Sequence, residues 1–183
     1  MSANLYEGSI PPAIFLDNQV SSRIISVIVD NEAGVLARVV GLFSGRGYNI
    51  ESLTVSEVDK YAELSRINLV TSGTAQIIEQ IKAQLGRLVP VHDVIDLTSK
   101  GPPVSRELAL IRVSVNKESK DELLRIARIF YCKIVGLDKD NYVFEIIGST
   151  GKIDAFIDLV RPTGSIEISR TGIVAISLSG DSN

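Results

Sequence analysis

One break and one repetition govern what this chain can fold into. Residues 99–103 read Ser-Lys-Gly-Pro-Pro, and the two prolines, lacking amide donors, let the segment continue neither a helix nor a central strand. On either side the apolar pattern runs through the same succession of periods. Before the break, Arg23 to Val29 alternates, with Ile25, Val27 and Val29 on one face and Ile24, Ser26 and Ile28 on the other, which predicts a strand. Leu36, Val39, Val40 and Phe43 then fall at helical spacing, with Gly45 and Gly47 where that helix would end. Ile50 to Val58 and Leu64 to Val70 predict two strands around a polar turn at Asp59 and Lys60. Ile77, Ile78, Ile81 and Leu85 mark a second helix, and Val89 to Leu97 a fourth strand.

After the break the order repeats. Leu108 to Val115 predicts a strand, and Ser119 with Glu122 a capping box for a helix whose apolar face is Leu123, Ile126, Ala127 and Phe130. Ile134 to Leu137 and Tyr142 to Ile147 are strands flanking an Asp-Lys-Asp-Asn turn. Ile153, Phe156, Ile157 and Val160 form the next helical stripe, Pro162 and Gly164 stop it, and Ile166 to Leu178 holds a last strand or two. Two βαββαβ units in succession predict an α+β chain of two ferredoxin-like domains, each a four-stranded antiparallel sheet with both helices on one face. The expected division is a loose leader over 1–20, a first domain over 21–98, a linker over 99–104 and a second domain over 105–183. Because the first strand is aliphatic on both faces, the side away from the helices should meet another protein surface, and self-association is the simple expectation.

Composition removes several classes of function. Cys132 and His92 are the only residues of their kinds among 183, so the chain can form no internal disulfide and no His/Cys metal site. A net charge of -3 and the lack of any basic run argue against nucleic acid. No apolar stretch approaches the roughly 20 residues that span a bilayer. The first 22 residues carry no Lys or Arg, unlike a signal or transit peptide. A bacterial cytoplasmic protein is expected.

The glycine-rich segments do not cradle phosphate. Gly41, Gly45 and Gly47 fit no nucleotide fingerprint and lie at a helix end whose dipole repels anions. Gly148-Ser149-Thr150-Gly151-Lys152 has Ile146 and Ile153 where a phosphate loop needs glycine and a hydroxyl, and reads as a helix start. Cys132 and His92 fall in different units, Glu63 and Arg66 read as a solvated pair, and no catalytic constellation emerges.

Two asparagines are more informative. Asp30-Asn31-Glu32-Ala33-Gly34 joins the first strand to the first helix, where free N–H groups favour a small carboxylate by about 0.3–1 kcal/mol through the dipole alone. Gly34 lets a ligand approach the backbone, and a neutral amide beside it can orient a zwitterion without adding net charge. Asn49 offers a similar amide before the second strand. On the residues alone a second reading stays open, in which Asn31 caps or turns the chain and Asn49 is a turn residue.

The wider motif carries a resemblance. Asn31-Glu32, Gly34-Val35-Leu36, Arg38-Val39, the run Gly41-Leu42-Phe43-Ser44 with Arg46-Gly47-Tyr48-Asn49-Ile50-Glu51-Ser52-Leu53-Thr54-Val55, and Leu64-Ser65-Arg66 resemble the regulatory small subunit of acetolactate synthase (acetohydroxyacid synthase). In the second half Arg106-Glu107-Leu108, Gly151-Lys152-Ile153-Asp154-Ala155-Phe156 and Arg170-Thr171-Gly172 extend the likeness, which covers roughly Arg23 to Asp181. Tyr131, Gly136 and Ser179-Gly180 depart from the family's usual Arg, Asp and Arg-Gly.

This resemblance implies that the first unit is an ACT domain and that the chain has no active site of its own. It implies binding to the large catalytic subunit, which carries thiamine diphosphate, Mg²⁺ and FAD and condenses two pyruvates to acetolactate, or pyruvate with 2-oxobutyrate. The small subunit would raise that activity and confer feedback inhibition by valine or another branched-chain amino acid. It further implies a homodimer through the ACT domains with the effector at the interface, Asn31 and Gly34 coming from one chain and Asn49 from its partner. Val35 and Ile50 would stand among the surrounding aliphatics. A stand-alone ACT-type amino-acid sensor acting on another enzyme is the alternative reading of the same loop.

Overall fold

The computed structural model describes residues 19–116 and 118–178. Nearly all of the expected leader, together with Ser179 and Gly180, lies outside them. The first unit runs β1 (Ser21–Asp30), α1 (Val35–Arg46), β2 (Ser52–Asp59), β3 (Leu64–Gly73), α2 (Ala75–Leu85) and β4 (Val91–Asp96). Its antiparallel sheet has the order β2-β3-β1-β4, which leaves β2 and β4 as edges. Strict alternation in β1 sends Ile25, Val27 and Val29 to the helix side, where they close a core with Val39, Phe43, Ile67, Leu69, Ile78, Ile81 and Leu85.

Each helix start and stop has a local cause. The Thr74 hydroxyl accepts from the Ile77 amide and caps α2. At the far end of α1, the amides of Gly47 and Tyr48 return to the carbonyls of Ser44 and Phe43, closing the last turn. Gly45, expected beyond the helix, lies inside it. In the second half Ser149 caps α4 through the Lys152 amide, as the helix-start reading of that glycine segment requires. The capping box expected at Ser119 does not form. Ser119 already has helical dihedrals and its side chain makes no cap bond; Asn116 Oδ1 takes the Ser119 amide instead, while Glu122 pairs with Arg125.

The second unit runs β5 (Val104–Val115), α3 (Lys120–Ile129), β6 (Lys133–Asp138), β7 (Asn141–Gly148), α4 (Thr150–Val160), a single 3-10 turn, β8 (Gly164–Arg170) and β9 (Val174–Ile176). The sheet order is β6-β7-β5-β8, with β9 pairing the extended start of β5. Its core gathers Ile111, Val113, Leu123, Phe144, Ile146, Ile153 and Phe156. Of the departures from the family pattern, Tyr131 is exposed just after α3 with a left-handed φ of 56°. Gly136 lies at a β6 bulge, where a Cβ would come within 3.2 Å of Val143.

The outer face of the first sheet needs a correction. It was expected to await another protein surface, yet part of it is covered by the chain's own second unit. Thr54 Oγ1 donates to the Ile173 carbonyl and Ser52 Oγ accepts from the Ile173 amide, both at 3.0 Å. Gly172, at φ 82°, sits so close that a Cβ would meet Ser52 Oγ at 2.6 Å, so only glycine fits this crossing. Among the described residues no helix is long and apolar enough to cross a membrane.

Candidate functional site

The turn after β1 is built by hydrogen bonds to the neighbouring strand. The Asn31 amide donates to the Glu63 carbonyl at 2.6 Å, and the Asn31 side-chain oxygen accepts from Ser65 Oγ at 3.0 Å. Ser65 opens β3, so the central strand pair fixes the Asn31 amide group at the sheet's end. Gly34 then adopts φ 87°, a left-handed conformation natural to glycine, and no side chain caps α1. The Val35 amide reaches the Glu32 carbonyl and the Arg38 amide reaches Gly34. The amides of Leu36 and Ala37 between them find no acceptor among the described residues. Two free donors at the positive end of a helix dipole, beside an exposed glycine, suit a carboxylate.

Val35 anchors this end: its side chain is only 3% exposed, packed in the first core. Its place at the turn is therefore held through its backbone, and the exposed aliphatics on this helix are Leu36 and Val40. His92 lies alongside, its Nε2 2.6 Å from Asp30 Oδ1. Sequence reasoning set His92 aside, because a partner 62 positions away becomes visible only once β4 is laid against β1.

Asn49 and Ile50 occupy the opposite end of the sheet. The Asn49 carbonyl accepts from Thr71 Oγ1 at 2.7 Å, near the end of β3, and Ile50 packs half-buried against the first core. The anchors Ser65 and Thr71 are six positions apart on one strand, which is roughly 20 Å at about 3.3 Å per residue. One chain therefore brings Asn31, Gly34 and Val35 together, and Asn49 with Ile50, but keeps the two groups apart.

A third cluster lies within the second unit. Glu107, 5% exposed on β5, accepts from Arg170 Nε and Nη2, both at 2.7 Å, and from Thr150 Oγ1 at 3.3 Å; Arg170 also reaches Asp154 at 2.6 Å. The Glu107 hydrogen bonds, against the opposing effect of burial, raise the guanidinium pKa further above its usual range, with Asp154 adding to them. All three charged residues belong to motif segments quoted from the sequence, and their convergence is structural: the cluster ties β8 to β5 and α4. A cavity of about 480 Å³ between the units opens beside it, with Glu51, Ser52 and Thr171 among its walls.

Chemistry for bond making is lacking at Cys132. Its thiol packs against the second core, and burial pushes its pKa up to about 11 despite the nearby Lys152 charge, so it is no nucleophile at neutral pH. Among the described residues no group of His, Cys, Asp and Glu could hold a metal ion.

Comparison with known proteins places this arrangement. Residues 25–96 match the family described as "AHAS small subunit-like ACT domain", and residues 106–179 the family "Small subunit of acetolactate synthase". The chain is 43% identical over 152 residues to the probable acetolactate synthase small subunit of Archaeoglobus fulgidus, covering 83% of this chain and 94% of that one. It is 42% identical over 156 residues to the acetolactate synthase isozyme 3 small subunit of Escherichia coli, covering 85% and 94%. The crystal structure of the acetolactate synthase small subunit from Thermotoga maritima superposes with a TM-score of 0.77 at 38% identity, covering 85% of this chain and 96% of that one.

Proposed function

The chain belongs to the acetolactate synthase small-subunit family, and from that premise we propose that it activates the catalytic subunit and makes it inhibitable by a branched-chain amino acid, valine first. As a small subunit it is regulatory and non-catalytic, with a role in branched-chain amino-acid biosynthesis. Thiamine diphosphate, Mg²⁺ and FAD belong, in this reading, to the large subunit. The effector lies between the ACT domains of a homodimer: Leu36 and Ala37 amides and the Asn31 side chain of one copy face Asn49 of the other.

The observation that carries the reading is the separation of the two asparagines. They stand at opposite ends of the sheet, roughly 20 Å apart along β3, so a single amino acid can touch both only across a two-fold axis between copies. The edge strand β2, which follows Asn49 and Ile50 directly, has open backbone groups on its outer side for a second chain. A ligand seated on two chains shifts their relative geometry, which is how its binding reaches the large subunit, with a coupling of about 1–3 kcal/mol.

The test is reconstitution. The chain is mixed with its cognate large subunit and acetolactate formation is followed with and without valine, leucine and isoleucine. Stimulation by the chain and its reversal by one of these amino acids is expected. Unchanged acetolactate formation in every mixture would refute the proposal and return the chain to the stand-alone sensor reading.

A further inference from the structure

The interdomain surface holds a second set of features that the effector reading does not use. Two grooves, of about 330 and 380 Å³, meet where β5 and β9 come over the outer side of β2 and β3, and they share Ser56, Asn68, Arg106 and Val174 as walls. The larger carries Arg66, whose Nε–H is buried and has no acceptor. No carboxylate pairs with Arg66 or Arg106 among the described residues, and the one side-chain hydrogen bond Arg106 makes there is to the carbonyl of its neighbour Ser105, at 2.7 Å. Glu107, the acid within reach of the smaller groove, is already saturated by Arg170 and Thr150. Asn68 is 5% exposed, and its side-chain oxygen has no donor.

Polar groups withdrawn from water without partners cost stability, and here the Arg66 Nε–H and the Asn68 oxygen are left so in the same place, with the exposed Arg106 guanidinium on the wall beside them. Around them stand apolar side chains that are nonetheless open to the groove: Val104, Val174 and Ile176. A guanidinium fork matches a carboxylate, the valines and isoleucine match a short branched hydrocarbon, and the volume suits a small molecule. We infer that this groove is a binding site for a small amphipathic carboxylate, its anionic end on Arg66 and Arg106, its polar middle on the Asn68 amide and its hydrocarbon body against β9 and the start of β5. Because β3 lies on one side and β5 with β9 on the other, occupancy locks the angle between the two units.

The probe is 4-methylpentanoate, titrated calorimetrically into the full chain, with acetate and 4-methylpentylamine as controls that keep only the head or only the body. Saturable binding of the probe at one site per chain is expected, with acetate weaker by more than tenfold and the amine silent. Arg66→Gln and Arg106→Gln should each weaken the probe by roughly 10- to 100-fold, the range of a charge-assisted hydrogen bond. Neither should lower the melting temperature appreciably, since neither arginine has a carboxylate partner to lose and the one side-chain bond Arg106 makes is exposed. Gly34→Asp, which removes valine binding in the reading above, should leave the probe untouched, so the two sites fail separately. No saturation by 4-methylpentanoate overturns the inference, as does binding indifferent to both arginine substitutions. Competition by valine together with loss in Gly34→Asp overturns it too, by placing the probe in the effector site. If both arginine variants instead lose the large subunit while no variant binds the probe, the groove is a seat for a protein segment and the small-carboxylate site is wrong.

Discussion

Substituting Gly34 by Asp separates the integrity of the fold from the carboxylate seat. At φ 87° a side chain costs about 1–2 kcal/mol, but nothing lies within 4 Å of an added Cβ, so no clash follows. A carboxylate at the start of α1 recovers about 0.3–1 kcal/mol from the helix dipole. The net loss is about 1 kcal/mol, a shift of roughly 4–8 °C in the melting temperature of a unit this size, and the chain stays folded at 25 °C.

The binding term is larger. In the proposed site the free Leu36 and Ala37 amides would be the donors for an effector carboxylate, each charge-assisted bond contributing about 1.5–3 kcal/mol. A resident carboxylate beside them both competes for the donors and repels the ligand. At 1.4 kcal/mol per decade, valine affinity should fall by about 100-fold or more. Calorimetric titration reads the affinity, and the reconstituted acetolactate assay should retain stimulation while losing valine inhibition. Gly34→Ala is the control, because it imposes the same backbone strain and leaves the amides free, so it should keep valine affinity within about tenfold. Wild-type affinity in Gly34→Asp, or an equal loss in Gly34→Ala, would refute the assignment of the carboxylate to this helix start.

Other perturbations test other parts. Asn49→Ala removes one side-chain contact but keeps the carbonyl that Thr71 binds, so valine affinity should fall only about five- to tenfold, the scale of one hydrogen bond; unchanged affinity would remove Asn49 from the site. Arg170→Leu strands the buried Glu107 carboxylate and should cost about 3–5 kcal/mol in denaturant unfolding, with much of the loss recovered by adding Glu107→Leu. A single-variant loss under 1 kcal/mol would show the pair to be solvated. Cys132, with its pKa near 11, should resist iodoacetamide at pH 7–8 in the native state and react when unfolded. Because the folded chain holds this proton more tightly than the unfolded one, its contribution to stability is complete below about pH 9 and is lost as pH rises to about 11. Fast native alkylation at pH 7 would contradict its burial.

The order of elements was legible because each has a period of its own. Alternation in Arg23 to Val29 and helical spacing in Leu36 to Phe43 survive any tertiary detail, and so do their counterparts after residue 103. What escaped depends on partners distant in sequence. Glu107 and Arg170 are 63 positions apart, and their motif segments showed a likeness without showing that they meet. The capping box at Ser119 failed because spacing alone cannot report that Ser119 is already helical. β9 is three residues long, too short for alternation, and it exists because β5 extends upstream to Val104 to receive it. The aliphatic second face of β1 predicts a covering surface, but no sequence period could say that residues 172–173 of the same chain would lie over β2 on that side of the sheet.

That cover bears on how an effector signal leaves the ACT domain. Asn49 and Ile50 lead directly into β2, whose Ser52 and Thr54 hold Ile173 by two hydrogen bonds, while Gly172 lets the backbones touch. Two residues earlier Arg170 is clamped to Glu107 and Asp154, and Thr171 bonds back to Leu108 on β5. A ligand that moves the start of β2 must therefore either carry residues 171–173 with it or break both bonds, and the buried Glu107 pair ties that segment to the second sheet. Packed strands joined in this way move as a body more readily than they deform. If the effector seats as proposed, a displacement at the start of β2 would thus be delivered to the whole second unit as a change of angle, without any flexible linker having to transmit it.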